Sequence, residues 1–252
     1  MNAEYDFLKQ RLEAVGIKKG MTLLVHSSFK SLNLKYLTPK DVINAFMDVI
    51  TSSGNLLFPT LTYKTVNKDN PYYSVTLTPS CVGILPETFR KMDGVIRSLN
   101  PIHSVAAWGK DKEDLILSHL DDDITLGINS PFYKMLKYEG KILMLGCGLK
   151  PNTFMHLVEN LCKVKYRKLT NKITFTIRDY ENNIIKKDLL MPESNNYYQM
   201  YDRIINILDH NELKKISING EESFLIDAKQ LLLKASLKIK EDEEYFIEWI
   251  ER

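Results

Sequence analysis

Cysteine, long apolar runs and strong net charge are all scarce in this sequence of 252 residues. Its three cysteines form no CxxC pair, which argues against a disulfide scaffold and is typical of a reduced, cytoplasmic protein. No stretch approaches the roughly 18 uncharged apolar residues of a spanning helix, and residues 1–20 lack the apolar core of a signal peptide. A net charge of +2 is too small to indicate nucleic-acid binding, so we expect neither nucleic acid nor membrane as a partner.

Internal repeats, low-complexity tracts and Gly/Ser/Pro-rich linkers are also absent. A chain of this length can bury a large core without a disulfide or a metal. We therefore predict a single domain over residues 1–252, with a core over residues 1–165 and a small C-terminal α+β portion over residues 166–252.

Helix-like and strand-like segments alternate along the chain, which indicates an α/β fold. The predicted helices cover residues 3–15, 38–50, 83–92, 130–140, 152–161, 197–209, 227–236 and 242–251. The predicted strands cover residues 21–25, 54–58, 104–108, 141–145, 213–218 and 222–226, with a hairpin that turns at residues 181–183. Residues 60–79 are predicted as a long loop, which in a compact domain is often functional.

The first candidate site follows the first predicted strand and reads His26-Ser27-Ser28-Phe29, with Ser31 two residues later. In an open α/β sheet, ligands bind beyond the carboxyl ends of the strands. Small hydroxyl residues there can leave backbone N–H groups free for a phosphate. An ordinary turn with a helix cap explains the same residues.

The second candidate site follows the strand at residues 141–145, where a Gly-rich turn leads into a helix. His156 and Glu159 are spaced i and i+3, so they share one helix face. A carboxylate beside an imidazole fixes its tautomer and raises its basicity, as a general base near neutral pH requires. Thr153 lies one turn earlier and can present its hydroxyl to the same point. The alternative is a surface pair without a function.

In a third segment, residues 97–109, small residues follow a Pro turn and enter a strand. They would either let a thin ligand approach closely or serve only the packing of the strand. Two other chemistries are open but poorly supported. A hydrolase triad of Ser27 or Ser28 with His156 lacks the G-x-S-x-G elbow. A metal site built from His103, His119, Asp121–Asp123 and His156 lacks any recognised ligand spacing, and no metal is expected.

Together these segments resemble the aminoglycoside 3-N-acetyltransferases, an antibiotic acetyltransferase family distinct from the GNAT fold. The matching stretches are LLVHSSFKSLN (23–33), GNLLFPTLTY (54–63), TPSCVGILPETFRKMDGVIRSLNPIHSVAAWG (78–109), GINSPFYKMLKYEGKILMLGCGLKPNTFMHLVE (127–159) and, more loosely, GEESFLIDAKQLLLKA (220–235). The resemblance implies an α/β fold with a single mixed central sheet flanked by helices. It also implies transfer of an acetyl group from acetyl-CoA to an amine, by a monomer or a homodimer.

The resemblance also assigns roles to individual positions. His156 matches the catalytic base, Glu159 its supporting carboxylate, and Thr153 a residue that helps to hold the thioester or the developing oxyanion. The positions that match the coenzyme A site are His26, Ser27, Ser28, Phe29, Ser31, Pro101 and Ser104. The segment from His26 to Phe29 would hold the pyrophosphate through backbone N–H groups, and the region of Pro101 and Ser104 would line the pantetheine arm.

The acceptor is the point at which this sequence departs from the family pattern. Lys150-Pro151 stands where the family usually has an Asp, and Asn100 stands where it often has His before Pro. Residues 194–209 hold only Asp202 and Asp209 where many members are rich in Asp. Because aminoglycosides are polycations, we predict a nucleotide-linked or other non-drug amino sugar as the acceptor.

Lys150 and Tyr63 are the residues that we expect to bind the acceptor. Two alternatives to that substrate prediction remain open. One is a true aminoglycoside 3-N-acetyltransferase that gives antibiotic resistance, and the other is a non-catalytic module that binds coenzyme A or a sugar.

Overall fold

A computed structural model describes residues 3–193 and 196–250. Its helices are α1 Ala3–Val15, α2 Pro39–Ile50, α3 Ile84–Phe89, α4 Lys112–Ile116, α5 Pro131–Lys134, α6 Phe154–Cys162 and α7 Ala228–Glu241. Its strands are β1 Thr22–Ser27, β2 Asn55–Pro59, β3 Tyr72–Ser74, β4 Ile96–Arg97, β5 Val105–Gly109, β6 Lys141–Leu145, β7 Leu169–Arg178, β8 Ile184–Pro192, β9 Tyr197–Gln199, β10 Leu213–Ile218, β11 Glu221–Asp227 and β12 Ile247–Trp249. Short 3₁₀ helices cover Leu117–Leu120, Met135–Tyr138, Lys165–Arg167 and Tyr201–Asn206.

A mixed seven-stranded sheet with the order β10-β11-β6-β1-β2-β5-β4 forms the centre of the molecule, as predicted. Strand β1 runs parallel to both β2 and β6, whereas β5 and β11 are antiparallel to their neighbours β2 and β6. The three parallel strands are almost wholly buried, as expected for strands with helices on both faces. One hydrophobic cluster contains Leu8 and Phe46 from α1 and α2, and a second contains Leu157 and Leu231 from α6 and α7.

The C-terminal third does not stand apart from the core. Strands β10 and β11 extend the central sheet, with Phe224 opposite Met144 of β6. The predicted hairpin is confirmed: β7 and β8 pair antiparallel, and β3 adds to β7 in parallel as a third strand. Strand β3 lies inside the segment predicted as a long loop, where a three-residue strand gives little periodic signal.

Two predicted helices are wrong. Residues 197–209 form strand β9 and a 3₁₀ helix, and residues 242–250 form a turn and strand β12, while residue 251 lies outside the described range. The two strands pair with each other, and Tyr197 lies opposite Trp249 with ring centroids 5.9 Å apart. The two strands are about 50 residues apart in the sequence. Their pairing is therefore a tertiary contact, and it outweighs the local pattern that predicts a helix.

Within the described residues, no helix is both long and apolar enough to cross a membrane.

Candidate active site

The site lies at the carboxyl ends of two adjacent parallel strands, β1 and β6. Ser27 at the end of β1 is in register with Leu145 at the end of β6. Gly146 follows with a φ of +60°, and a Cβ there would come within 2.7 Å of Ser31 Oγ. The turn after β6 therefore packs directly against the loop after β1, which brings the first two predicted segments together.

The predicted dyad of His156 and Glu159 is present on helix α6. Nδ1 of His156 donates a hydrogen bond to Oε2 of Glu159 over 2.8 Å. Asn152 Oδ1 accepts from the Phe154 N–H and helps to begin the helix where the Gly-rich turn ends. Because Nδ1 carries the proton of this hydrogen bond, the lone pair of the neutral imidazole is on Nε2.

Glu159 is fully buried and has three further partners that the sequence did not predict. The Tyr201 hydroxyl donates to Oε1 over 2.8 Å, and the Tyr166 hydroxyl lies 3.2 Å from the same oxygen. Arg167 Nε lies 3.4 Å from Oε2. Tyr201 belongs to the segment that was predicted as a helix, and neither its spacing nor its residue type connects it with α6.

Charge and burial set the protonation states of the dyad. Burial lowers the pKa of His156, and the nearby Arg167 charge lowers it further against the opposing effect of Glu159. Burial raises the pKa of Glu159, but its hydrogen bond with His156 and the charge of Arg167 outweigh burial, so the net shift is downward. Burial also raises the pKa of Tyr201 well above its usual value. The resting site therefore pairs a neutral imidazole with a carboxylate, and Tyr201 remains a phenol.

His156 lies in the wall of a cleft of about 470 Å³. The lining residues are Leu61, Tyr63, Val82, Ile102, His103, Lys150, Pro151, Asn152, Thr153, His156, Arg167, Met191, Pro192, Gln199 and Tyr201. The cleft therefore includes Thr153 and both residues predicted to bind the acceptor, Lys150 and Tyr63. Among the described residues that line it, two are cationic, Lys150 and Arg167, and none is a carboxylate.

A narrow channel of about 80 Å³ lies beside the cleft and shares Leu61, Val82, Pro151 and Thr153 with it. His26 and Ser27 line this channel. His26 Nε2 and Ser27 Oγ are buried and have no hydrogen-bond partner within the described part of the chain. Buried polar atoms without a partner are rare in proteins. A thin ligand with polar groups of its own would supply the missing hydrogen bonds in this channel.

The other residues of the first loop stabilise it. Ser31 Oγ donates to Ser28 O over 2.9 Å and also contacts Gly146 O, while Phe29 packs against the core. The Ser28 N–H donates to Leu145 O over 2.9 Å. Our expectation of free N–H groups is therefore wrong for Ser28, because the backbone still follows the sheet ladder at that point.

Pro101 and Ser104 are buried, and neither lines the cleft or the channel. Ser104 is fully buried and donates to Thr60 O over 2.8 Å, close to the buried guanidinium of Arg97. Their neighbour His103 lines the cleft instead. In this segment the cleft is therefore lined by the His103 ring and not by the small residues that we expected to line it.

The structure supports neither of the alternative chemistries. His119 is a core residue whose ring nitrogens contact Ser98 Oγ and Thr125 O, at 2.9 Å and 3.0 Å. Within residues 3–193 and 196–250, no group of three His, Cys, Asp or Glu residues has the arrangement of a metal site. A triad would require a hydrogen bond between the Ser27 hydroxyl and His156. The Ser27 hydroxyl has no hydrogen bond with His156 or with any other described residue.

Known sequences match most of this chain. The family model for aminoglycoside 3-N-acetyltransferase matches residues 24–238. The SPbeta prophage-derived aminoglycoside N(3')-acetyltransferase-like protein YokD of Bacillus subtilis is 31% identical over 185 residues, or 66% of this chain and 67% of that protein. Aminoglycoside N(3)-acetyltransferase III of Pseudomonas aeruginosa is 26% identical over 200 residues, or 69% of this chain and 73% of that protein.

Solved structures share the fold over nearly the whole chain. AAC-IIIb, in a binary complex with CoASH, has a TM-score of 0.81 at 21% identity and covers 94% of this chain and 96% of its own. The apoenzyme of AAC(3)-IVa has a TM-score of 0.80 at 24% identity, with 96% and 90% covered. These similarities confirm the predicted mixed α/β architecture.

Proposed function

This chain belongs to the aminoglycoside 3-N-acetyltransferase family and is an acyltransferase, and we propose that it transfers the acetyl group of acetyl-CoA to the amine of an amino sugar, with His156 as general base. The observation that carries the proposal is the His156–Glu159 hydrogen bond of 2.8 Å at the wall of the cleft. The comparisons with related sequences support the reaction class.

The proposed reaction begins with a proton on the acceptor amine, because amines of this kind are protonated near neutral pH. His156 Nε2 removes that proton, and Glu159 stabilises the imidazolium that forms. The amine nitrogen then attacks the thioester carbonyl carbon, and the C=O electron pair moves to oxygen. When the C–S bond breaks, His156 returns that proton to the leaving thiolate, and the attacking nitrogen, which still carries two protons, releases one of them to solvent as the amide forms. Thr153, at the junction of cleft and channel, is proposed to help hold the thioester.

We propose the channel as the site of the pantetheine arm of coenzyme A. The arm is thin and carries amides, and the channel has a narrow bore and two unpaired polar atoms, on His26 and Ser27. Ser28, Phe29 and Ser31 then form the loop at its outer end, where we propose that the pyrophosphate binds. Pro101 and Ser104 would contribute only by supporting the wall from behind. The neighbour AAC-IIIb was solved with CoASH, which supports coenzyme A as the co-substrate.

For the acceptor, the names of the relatives favour an aminoglycoside over our prediction of a non-drug amino sugar. AAC(3)-IVa, a structural neighbour, was solved in complex with a gentamicin and in complex with apramycin. An aminoglycoside is therefore the first acceptor that we propose, with its reacting amine at His156 and its rings in the cleft beside Tyr63.

One observation favours a second candidate, an amino sugar that carries phosphate. The described lining of the cleft contains Lys150 and Arg167 but no carboxylate, whereas a polycation is bound best by carboxylates. Lys150 is exposed at the cleft, and Arg167 is buried against Glu159. A phosphate would be attracted chiefly by Lys150, because the charge of Arg167 is offset by the Glu159 carboxylate.

A thiol-release assay with acetyl-CoA separates these candidates. Gentamicin and sisomicin test the first, and UDP-glucosamine tests the second. If thiol is released with either class of acceptor, and if that release disappears in His156→Ala, the result supports acetyl transfer with His156 as the base. Binding of coenzyme A without release for any acceptor would instead favour the non-catalytic module.

Lys150→Asp then tests the role of charge, with Lys168→Asp, an exposed lysine outside the cleft lining, as the matched control. A charge in the cleft contributes a coupling of about 1–3 kcal/mol, or about 5- to 150-fold. We expect Lys150→Asp to lower kcat/KM for the anionic acceptor and to raise it for the cationic one. Equal effects on both acceptors would mean that Lys150 does not contact the acceptor.

A further inference from the structure

His103 is the one cleft-lining histidine besides His156 in the described part of the chain. Its backbone is fixed by Asn100, whose Oδ1 accepts from the N–H groups of Ile102 and His103 over 3.1 Å and 2.9 Å. The ring centroids of His103 and His156 are 6.1 Å apart, with the planes inclined at 65°. The two imidazoles thus face the same reaction space from different elements, the segment before β5 and helix α6.

The surroundings of His103 determine which of its nitrogens carries a proton. Burial lowers the pKa of His103 well below its usual value, and the nearby His156 and Arg167 lower it further, so the ring is neutral. Nδ1 is buried without a hydrogen-bond partner in the described residues. A buried donor without an acceptor is rarer in proteins than an unpaired acceptor. The proton therefore belongs on Nε2, at the end of the ring farther from the backbone.

The outer nitrogens of the two histidines consequently have opposite hydrogen-bonding roles. His156 donates from Nδ1 to Glu159, which leaves Nε2 as an acceptor, whereas Nε2 of His103 is a donor. Acyl transfer to an amine needs both functions, an acceptor for the amine proton and a donor for the oxygen on which negative charge develops.

We propose that His103 Nε2–H donates a hydrogen bond to the carbonyl oxygen of the acetyl thioester and stabilises the oxyanion of the tetrahedral intermediate. This proposal rests on the acetyl transfer proposed above. As the amine nitrogen bonds to the carbonyl carbon, the π electron pair moves to oxygen and is held by the His103 N–H. When the C–S bond breaks, the pair returns and His103 keeps its proton. His156 alone gains and then releases a proton.

Thr153 is the competing donor, because the family resemblance gives it this task and it also lines the cleft. The two residues differ in how firmly they are placed. The His103 ring is buried and presents a neutral N–H from a backbone that Asn100 holds at Ile102 and His103, whereas the Thr153 hydroxyl hydrogen is free to rotate. The experiment therefore compares the two directly.

The test uses acetyl-CoA labelled with ¹³C at the thioester carbonyl and measures the carbonyl stretch by difference infrared spectroscopy. In the wild-type protein we expect the stretch of bound acetyl-CoA to lie at lower frequency than in solution. His103→Leu should return it towards the free value, His103→Gln, which keeps a donor at a similar reach, should retain part of the shift, and Thr153→Val should retain most of it. Calorimetry should show an acetyl-CoA affinity at most about tenfold weaker in His103→Leu, which is the size of one neutral hydrogen bond, and a smaller change in His103→Gln.

Steady-state kinetics with a turned-over acceptor provide the second readout. Loss of one oxyanion donor lowers kcat by about 100- to 1,000-fold, so we expect that loss in His103→Leu and a smaller one in His103→Gln. An unshifted carbonyl stretch in the wild type, or a shift that survives in both His103 variants, would overturn the proposal even if acetyl transfer is established. Absence of turnover in the wild type would instead argue against the proposed function, since the infrared measurement needs no acceptor.

Discussion

The two ends of the site differ in how well their polar groups are paired. At the base end, Glu159 has contacts from His156, Tyr201, Tyr166 and Arg167. At the channel end, His26 Nε2 and Ser27 Oγ are buried without partners in the described chain. A carboxylate held by several donors is fixed in position and in protonation state, whereas unpaired buried groups cost free energy until a ligand supplies the missing partner. The difference fits the proposed function, in which the protein positions the base by itself and acetyl-CoA completes the channel.

Removing the base should have the largest effect. His156→Ala should lower kcat by about 10²- to 10⁴-fold, because His103, the other histidine of the described cleft lining, presents a donor rather than an acceptor. The affinity for acetyl-CoA should stay near the wild-type value, since the base end does not contact the channel. Thiol-release kinetics and calorimetry measure the two quantities. Full activity in the variant would contradict the proposed mechanism.

Two changes around Glu159 should shift the pH profile in opposite directions. A hydrogen bond to a charged group contributes about 1.5–3 kcal/mol, which corresponds to about 10- to 150-fold. Glu159→Gln should lower kcat/KM by a factor in that range. It also removes the negative charge that raises the pKa of His156, so the acidic limb of the profile should move to lower pH. Tyr201→Phe removes a hydrogen-bond donor from the carboxylate, so more of its negative charge acts on His156. The pKa of His156 should then rise, and the acidic limb should move to higher pH.

Tyr166→Phe is the matched control for Tyr201→Phe, because its hydroxyl contacts the same oxygen at the longer distance of 3.2 Å. We expect a smaller loss of activity and a smaller shift of the limb. Shifts in the same direction for Glu159→Gln and Tyr201→Phe would show that Tyr201 does not act through the carboxylate.

At the channel end, Ser27→Ala should weaken acetyl-CoA binding about fivefold, which corresponds to roughly 1 kcal/mol for a neutral hydrogen bond, with little change in kcat. Ser31→Ala is the matched comparison, because its hydroxyl is already bonded to Ser28 O. That variant should lower the melting temperature more than Ser27→Ala does. Calorimetric titration and thermal unfolding separate the two effects. Unaltered binding by Ser27→Ala would remove Ser27 from the proposed pantetheine site.

The last expected effect is on stability rather than activity, and it concerns pH away from the site. Burial lowers the pKa of His119 to about 4, against roughly 6.5 in an unfolded chain. Between these values the unfolded state binds more protons, so the stabilisation is complete above pH 6.5 and is lost as pH falls towards 4. Denaturant unfolding across that range should show a shallower pH dependence for His119→Gln than for the wild type. An unchanged dependence would contradict the inference that His119 is neutral in the fold.

The site illustrates how far local patterns reach. The pair of His156 and Glu159 follows from the spacing within one helix, and its place beside Ser27 follows from two parallel strands. Helices α1 and α2, strands β1, β2 and β6 and the β7–β8 hairpin have strong periodic or capping signals, and the structure has them where they were predicted. Strands β3, β4, β9 and β12 have two or three residues each, too few for a period to be detected.

The sequence by itself therefore determined the family and a candidate base: the family by matches over several segments, and the candidate base by the spacing of His156 and Glu159 within one helix. Only the tertiary structure decided which residues surround that base. It brings Tyr201 from 45 residues away to His156 and pairs the short strands around it, and it turns His103 towards the cleft while Ser104 is buried. Such contacts depend on the packing of distant elements, and no spacing within a single helix or strand encodes them.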